Sequence, residues 1–292
     1  MAPEKILACD VGGTHLRVSV TDTHGVVHEK RVVPTPLDDP AALTRAMESL
    51  RDEYPQHIAG AVVGVPGNVD YMNGRVIYLP NLPEWGTHIM EKRLARDLGM
   101  EVLLANDADL AALGEHRFGA GVGSSDMAYV TVSTGVGAGV VIGGRLLHGN
   151  VSLAELGHTV IDRQAYGTVE SLGSGTALGR IAGEDGAAVT EKARAGDEQA
   201  LGYIAEIADS LAVGVLNLAH IFSPQVIVVG GGLSQAGDLI LGPIRIMLAE
   251  RGKNFPASRA KVVLASGGDD VGLKGAAAYW SDRRLDNSKN SL

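Results

Sequence analysis

The sequence has 292 residues, a length that allows one large domain or two of ordinary size. Hydrophobic residues make up 45% of the chain and charged residues 20%, which provides material for a sizeable core and excludes general disorder. The formal net charge of −9 argues against nucleic acid as the main partner, and one cysteine, Cys9, excludes an internal disulfide and any site built from several thiolates.

The first half of the chain has the pattern of a strand meander followed by alternating helices and strands. Lys5–Asp10 is short and apolar, and the next residues alternate between apolar and polar side chains before a turn signal at Thr23-His24-Gly25. Apolar spacing predicts helices over Ala41–Tyr54, Ile89–Leu98 and about Asp107–Arg117. Buried or half-buried strands are predicted at Val26–Val33, Ile58–Val65, Val76–Leu79 and Val102–Ala105.

The second half repeats this order. Met127–Ser133, Gly139–Ile142 and Arg145–His148 are predicted strands, and helices are predicted at about Ala187–Ala195 and Glu198–Phe222, before a strand at Val226–Val229. In each half the first strand ends in a turn of glycine and threonine, Gly12-Gly13-Thr14 and Thr134-Gly135-Val136-Gly137. Such turns expose backbone N–H groups to an anion, so the pair is suited to hold a polyphosphate from both sides of a cleft.

Two other phosphate motifs fail on spacing. The P-loop pattern needs Gly-Lys followed by Ser or Thr, but Gly252-Lys253 precedes Asn254. The dinucleotide fingerprint needs G-x-G-x-x-G after a strand, and the continuation of Gly135-Val136-Gly137 breaks that pattern. A NAD-dependent dehydrogenase is therefore excluded as an interpretation.

Two apolar stretches bear on the compartment. Met1–Lys5 is polar and the apolar run after it stops at Asp10, which does not fit a signal peptide. Ser210–Gly237 lacks Asp, Glu, Lys and Arg, but its Asn, His, Pro and three consecutive glycines favour a buried helix, a turn and a buried strand over a membrane span. We expect a cytoplasmic protein with no membrane partner.

Several motifs together resemble those of the ROK family of repressors, open reading frames and sugar kinases. They occur in the expected order as Asp10-Val11-Gly12-Gly13-Thr14, Asn106-Asp107-Ala108, Ser133-Thr134-Gly135-Val136-Gly137, Glu155-Leu156-Gly157-His158 and Gly230-Gly231-Gly232. The resemblance implies an α/β fold of two actin-like (ribonuclease H-like) domains with a nucleotide and sugar cleft between them. We expect a smaller domain over 1–118 and a larger one over 119–292, with a C-terminal helix at about 274–286 packing back on the first.

The resemblance implies that Asp107 is the general base that takes the proton from a sugar 6-hydroxyl as it attacks the γ-phosphoryl group of ATP. Asp107 follows a buried strand and begins a helix, where a carboxylate is held rigidly. The structural alternative is that Asp107 only caps its helix. The neighbouring carboxylate, Asp109, is assigned to the solvated face of that helix.

The remaining site residues are also implied by the resemblance. The sugar ligands besides Asp107 would be Gly67, Asn68, Asn81, Asn106, Glu155, His158 and Glu170. The ATP and phosphate ligands would be Asp10, Gly12, Gly13, Thr14, Thr134, Gly135, Gly137, Gly175, Gly231 and Gly232. Asp10 would approach Mg²⁺ through water, as is common in kinase sites. For Asn68 and Asn81, ordinary turn chemistry is an equal alternative.

The chain departs from the family pattern at two places. His15 stands where the family usually has Lys, which lowers the positive charge near the phosphates. Many members carry a zinc-binding, cysteine-rich loop where this chain has Arg163–Glu170, and every cysteine is gone. We therefore expect no structural zinc, and expect Tyr166 to pack beneath the loop in its place.

These observations favour an ATP-dependent hexose 6-kinase with ATP and Mg²⁺ as cofactors, and the family expectation is a homodimer. Glucose is the first candidate acceptor, and N-acetylmannosamine, N-acetylglucosamine or another amino sugar are the alternatives. A sugar-sensing transcriptional regulator needs an N-terminal winged helix, for which the position of Asp10 leaves no room. A non-catalytic sugar-binding protein is a weaker alternative because Asp107 is present.

Overall fold

The computed structural model describes residues 3–79, 82–255 and 259–289. The chain divides into two compact units that interleave along the sequence. Unit 1 comprises Met1–Gly119, Arg145–Leu153 and Gly267–Leu292, and unit 2 comprises Ala120–Gly144 and Ala154–Ser266. The expected division into domains over 1–118 and 119–292 stays a prediction.

The strands and helices are numbered in chain order. The strands are β1 (Lys5–Val11), β2 (His15–Asp22), β3 (Val27–Pro34), β4 (Ala61–Val65), β5 (Asn68–Asp70), β6 (Arg75–Tyr78), β7 (Val102–Asn106), β8 (Met127–Val132), β9 (Val136–Ile142), β10 (Arg145–Leu146), β11 (Val160–Asp162), β12 (Gly167–Thr168), β13 (Val226–Gly230) and β14 (Lys261–Leu264). The α-helices are α1 (Ala41–Glu53), α2 (Glu91–Leu98), α3 (Asp107–Phe118), α4 (Val169–Gly173), α5 (Gly175–Ala182), α6 (Gly186–Arg194), α7 (Glu198–Phe222), α8 (Asp238–Arg251) and α9 (Val271–Lys289).

Unit 1 contains a five-stranded sheet in the order β3-β2-β1-β4-β7. The first three strands form an antiparallel meander, and β1, β4 and β7 run parallel. Every residue of β4 is buried, as expected of a parallel strand covered on both faces. Because the carboxyl ends of parallel strands meet at one edge, Asp10, Gly67 and the β7–α3 junction lie along the same edge of this sheet.

A second five-stranded sheet has the order β10-β9-β8-β13-β14, and its strands β8, β9, β13 and β14 belong to unit 2. The pair β8 and β9 is antiparallel, and β8, β13 and β14 are parallel. The carboxyl edge therefore carries the turn after β8 and the glycine turn after β13. The repeat predicted from the two halves of the sequence is thus present as two related sheets.

The helix α7 is the core helix of unit 2. It is long and apolar enough to cross a membrane by length and composition, and half of its most apolar window is buried inside the protein. A buried helix over this stretch was the prediction. The structure also contains α4 and α5, which the sequence pattern did not predict. Helix α4 spans only five residues, and Ser174 alone separates it from α5.

Candidate active site

Asp107 is the first residue of α3, at the carboxyl edge of the unit 1 sheet. The helix cap is its neighbour Asn106, whose side-chain oxygen accepts hydrogen bonds from the backbone N–H groups of Ala108 at 2.8 Å and Asp109 at 3.1 Å. The Asn106 amide nitrogen donates to the Gly67 carbonyl at 2.9 Å. Asp107 is half-buried, and its Oδ1 also accepts from Ala108 N–H. The capping function thus falls mainly to Asn106.

Asp109 does not lie on a solvated face, so that assignment was wrong. Its exposure is 1%, and its Oδ2 accepts a hydrogen bond from the Tyr71 hydroxyl at 2.8 Å. The physical reason is that α3 packs against α9, a helix more than 150 residues later in the chain, so every residue from Ala108 to His116 is buried. Sequence periodicity near Asp109 could not show that cover.

Gly67 lies between β4 and β5 with φ 154°, and a Cβ there would lie 2.2 Å from the Tyr78 carbonyl oxygen. This position therefore requires glycine, and it brings the Gly67 carbonyl to the Asn106 amide. Asn68 begins β5 opposite Tyr78 and is half-buried. Asn81 lies outside the described residues.

The first glycine turn, Gly12-Gly13-Thr14, closes the β1–β2 hairpin. Thr35 fastens it, because its hydroxyl donates to the Gly12 carbonyl at 2.7 Å and its N–H donates to the Thr14 carbonyl at 2.9 Å. Just before the turn, Asp10 accepts a hydrogen bond from the guanidinium of Arg17 at 2.8 Å. Partial burial raises the pKa of Asp10, and Arg17 offsets part of that rise.

Arg17 was not among the predicted site residues. It pairs directly across the hairpin with Asp10 and shares a strand face with His15, two residues earlier. The alternation of apolar and polar residues over 16–20 could have shown that Arg17 lies on the same strand face as His15. A cation therefore lies two residues after His15 on the same strand, paired with Asp10.

The second glycine turn lies in unit 2, between β8 and β9. Thr134 and Gly135 are in the turn, whereas Gly137, predicted in the turn, lies inside β9 opposite Thr131. The start of α5 is fastened to this turn by the Gly175 N–H, which donates to the Ser133 carbonyl at 2.7 Å. A Cβ on Gly175 would lie 2.6 Å from that oxygen, so only glycine fits at this close approach.

The glycine turn after β13 lies at the same edge of the unit 2 sheet. Gly231 has φ 86°, and a Cβ there would lie 2.4 Å from the Val132 carbonyl, while Gly232 begins a short 3₁₀ helix. A cavity of about 560 Å³ is lined by residues of both turns and of α5 and α6, among them Thr134, Gly175, Thr176, Gly186, Gly232 and Glu191. That volume is in the usual range for a small-molecule site.

Glu155, His158 and Glu170 lie close to the second glycine turn, all within unit 2. The carboxylate of Glu170 accepts a hydrogen bond from the Val136 N–H at 2.9 Å. The imidazole of His158 lies 4.0 Å from the Glu155 carboxylate, and both side chains are exposed, at 70% and 45%. The structure thus brings these three polar side chains to one region of unit 2.

The loop in place of the cysteine-rich segment is ordered differently from the expectation. Tyr166 is 77% exposed, so the predicted packing beneath the loop was wrong. Asp162 organises the turn instead, since its Oδ1 accepts from the Gln164 N–H at 2.8 Å, and the ends of the loop pair as β11 and β12. Thr168 and Ser171 then form a capping box that starts α4.

Among the residues that the structure describes, no group of three or more His, Cys, Asp and Glu side chains is arranged to hold an ion. Mg²⁺ in kinase sites is commonly held by one or two carboxylates together with substrate phosphates and water. Asp10, beside the first glycine turn, fits that requirement for one carboxylate.

The protein has two related sheets, and each carries a glycine-threonine turn between antiparallel strands. This arrangement defines an actin-like α/β protein, the fold that its solved neighbours also have. The chain belongs to the ROK family, whose family model matches residues 6–283. Both the predicted family and the predicted fold class are confirmed.

Three relatives illustrate the similarity. Glucokinase of Thermotoga maritima is 31% identical over 310 residues, covering 96% of this chain and 98% of the relative. N-acetylmannosamine kinase of Shigella flexneri is 32% identical over 303 residues, covering 96% and 99%. A solved ROK family glucokinase from Streptomyces griseus in complex with glucose and AMPPNP matches with a TM-score of 0.79 at 30% identity, covering 94% of this chain and 98% of that chain.

Proposed function

We propose that this protein is an ATP-dependent kinase that transfers the γ-phosphoryl group to the 6-hydroxyl of glucose or a related hexose, with Asp107 as general base. At the level of class it is a sugar kinase, as its relatives are. The observation that carries the finer proposal is the half-buried Asp107 at the start of α3, on the strand edge that also carries Gly67 and Asp10.

In the proposed reaction the carboxylate of Asp107 accepts the proton of the sugar 6-hydroxyl. The oxygen forms a bond to the γ-phosphorus, the bond to the bridging oxygen breaks, and ADP leaves with that oxygen. Asn106 fixes the first turn of α3, so the base is held without rearrangement during the reaction. Gly67, Asn68, Asn81, Asn106, Glu155, His158 and Glu170 are proposed to bind the sugar hydroxyls.

ATP is proposed to bind with its nucleoside in the cavity of unit 2 beside α5 and α6. The phosphate ligands would be Gly12, Gly13, Thr14, Thr134, Gly135, Gly137, Gly175, Gly231 and Gly232. Mg²⁺, held near Asp10 through water, would neutralise phosphate charge. Arg17 adds a fixed positive charge beside Asp10. We propose that the protein acts in the cytoplasm, as a homodimer.

The test of the base is Asp107→Asn. The amide keeps the shape of the carboxylate but cannot take up the hydroxyl proton, so we expect kcat to fall by about 10²- to 10⁴-fold while sugar affinity stays within a few-fold. The control is Asp52→Asn, the same change at an exposed ion pair of unit 1, which should leave kcat unchanged. Near-full turnover of Asp107→Asn would show that another group is the base.

The acceptor is tested with a panel of glucose, mannose, N-acetylmannosamine, N-acetylglucosamine and glucosamine compared by kcat/KM. The proposal expects the highest value for glucose. N-acetylmannosamine is the strongest alternative because a relative is named N-acetylmannosamine kinase. No phosphorylation of any hexose, with sugar binding retained, would favour the non-catalytic alternative.

A further inference from the structure

Tyr71 lies directly after β5 and joins three segments of unit 1. Its hydroxyl donates a hydrogen bond to Asp109 Oδ2 at 2.8 Å and accepts one from the backbone N–H of Asn106 at 3.2 Å. Its own N–H donates to the Asn150 carbonyl at 2.9 Å, and its ring centroid lies 4.9 Å from that of His148. One phenol therefore links the β5–β6 hairpin, the β7–α3 junction and residues 148–150.

The hydrogen bonds of the Tyr71 hydroxyl reach residues on either side of Asp107. Asn106 immediately precedes Asp107, and Asp109 lies two residues after it, so the Tyr71 hydroxyl binds the chain on both sides of Asp107. Asn106 in turn binds the Gly67 carbonyl, on the same hairpin connection that leads to Tyr71. These contacts form a closed ring. The ring connects the segment proposed to bind sugar with residues on both sides of the proposed base.

The hydrogen bond between the Tyr71 hydroxyl and Asp109 lies where water does not readily replace it. Asp109 is almost fully buried, and burial together with the Asp109 charge raises the pKa of Tyr71, which keeps the phenol a donor throughout the physiological range. Removing the hydroxyl would take a donor from a buried carboxylate and an acceptor from the Asn106 N–H. The first turn of α3 would have to shift to satisfy them.

We propose that Tyr71 is a positioning residue for phosphoryl transfer, which holds the Asp107 carboxylate in register with the bound sugar through Asn106 and Asp109. This inference rests on the proposed function. It also assigns Asp109 a defined part: its carboxylate accepts the Tyr71 hydroxyl, so it anchors the helix and does not take the substrate proton. A displacement of about 1 Å at a reacting group costs about 10²-fold in rate.

The experiment compares Tyr71→Phe with Tyr54→Phe, a half-buried tyrosine of unit 1 that packs against the core. For Tyr71→Phe we expect kcat to fall by about 10- to 100-fold, sugar KM to rise a few-fold and ATP KM to stay within about two-fold. Tyr54→Phe should change none of them. Asp109→Asn, which keeps an acceptor oxygen for Tyr71, should hold kcat within about five-fold.

The outcomes separate this inference from the proposed function. Unchanged kcat in Tyr71→Phe, or ATP KM rising as much as kcat falls, overturns the positioning role. If Tyr71→Phe does not fold, Asp109→Asn decides between the outcomes. A kcat within five-fold of wild type supports the positioning role of Tyr71. A loss of kcat equal to that of Asp107→Asn makes Asp109 the base and overturns the positioning role. Full activity of Asp107→Asn would instead contradict the proposed function.

Discussion

Asp22, at the end of β2, holds the turn between β2 and β3 through one carboxylate. Its Oδ1 accepts from the N–H groups of His24 and Val26, each at 3.0 Å, and its Oδ2 lies 2.8 Å from His28 Nε2. Burial raises the pKa of Asp22, but the hydrogen bonds from Val26, His28 and His24 outweigh burial and leave the pKa below its usual value. The ionised carboxylate therefore stabilises the folded state.

A lowered pKa in the folded state means that this stabilisation is complete above the unfolded pKa and is lost as pH falls through the folded pKa. Asp22→Asn removes the charge but keeps an acceptor oxygen, so at pH 7 we expect a loss of about 1–2 kcal/mol of stability. The difference should shrink as pH falls below about 4, where the carboxylate of the unfolded chain takes up a proton, and disappear once the folded carboxylate is protonated as well. Urea unfolding at pH 7 and pH 3.5 measures both values; a constant difference would contradict the assignment.

At single residues, the sequence predicted what depends on nearby motifs and missed what depends on distant contacts. Asn106 and Asp107 lie at a strand–helix junction, as their pattern indicated. The burial of Asp109 depends on Tyr71 and α9, which are far away in sequence. The Tyr166 prediction failed because the local Asx-type turn of Asp162 orders the loop without an aromatic anchor.

Helices α3 and α9 approach each other unusually closely, and glycines on each make this possible. A Cβ on Gly275 would lie 1.7 Å from the Leu110 carbonyl oxygen, and one on Gly114 would lie 2.1 Å from the Val271 carbonyl oxygen. Both obstacles are backbone atoms, which cannot rotate away as a side chain can. The helix that begins with Asp107 is therefore seated directly on α9.

We expect Gly275→Ala to force the two helices apart, destabilising the protein by about 1–3 kcal/mol and lowering kcat together with the melting temperature. The matched control is Gly272→Ala in the same helix, where an added Cβ meets nothing within 4 Å. That variant should stay within about 1 kcal/mol of wild type. Equal effects of the two substitutions would mean that the close approach does not determine stability.

The β11–β12 hairpin bears on the zinc prediction. Its turn is organised by Asp162, and its far end by the Thr168–Ser171 capping box, both made by side chains of the loop itself. We expect elemental analysis of chelator-treated enzyme to find less than one zinc per chain, with full activity on adding Mg²⁺ alone. His158→Ala should raise the sugar KM and leave the melting temperature unchanged; one tightly held zinc per chain would contradict this prediction.

Strand and helix order was largely predictable because buried strands and amphipathic helices have distinct periods. The strands of both sheets lie where apolar runs indicated, within a few residues. The pair α4–α5 was missed because α4 spans only five residues and because the start of α5 is determined by contacts with Ser133 and Thr134. Those contacts come from the turn after β8, about 40 residues earlier, and have no local signature.

For the whole molecule, the proposed ATP site predicts where a bound nucleotide slows amide exchange. AMPPNP should protect residues 133–137, 174–179 and 230–236, which line or border the cavity of unit 2. Peptides from α1 serve as the internal control, because α1 lies in unit 1 and contains none of the residues proposed to bind nucleotide. Hydrogen–deuterium exchange followed by mass spectrometry gives this map. Protection confined to other segments of unit 2 would contradict the assignment of the nucleotide wall.

The interleaving of the units has a consequence for biosynthesis. Unit 1 needs α9, whose Trp280 is fully buried and occupies the space beside Gly60. On the ribosome, roughly 150 residues separate Gly119 from Gly267, and at 5–20 residues per second their synthesis takes about 7 to 30 s. During that interval the nascent first unit exposes the surface that α9 later covers, while unit 2 is still being made. The nascent chain therefore exposes the helix that begins with Asp107, and that helix packs in its final place only after α9 has been synthesised.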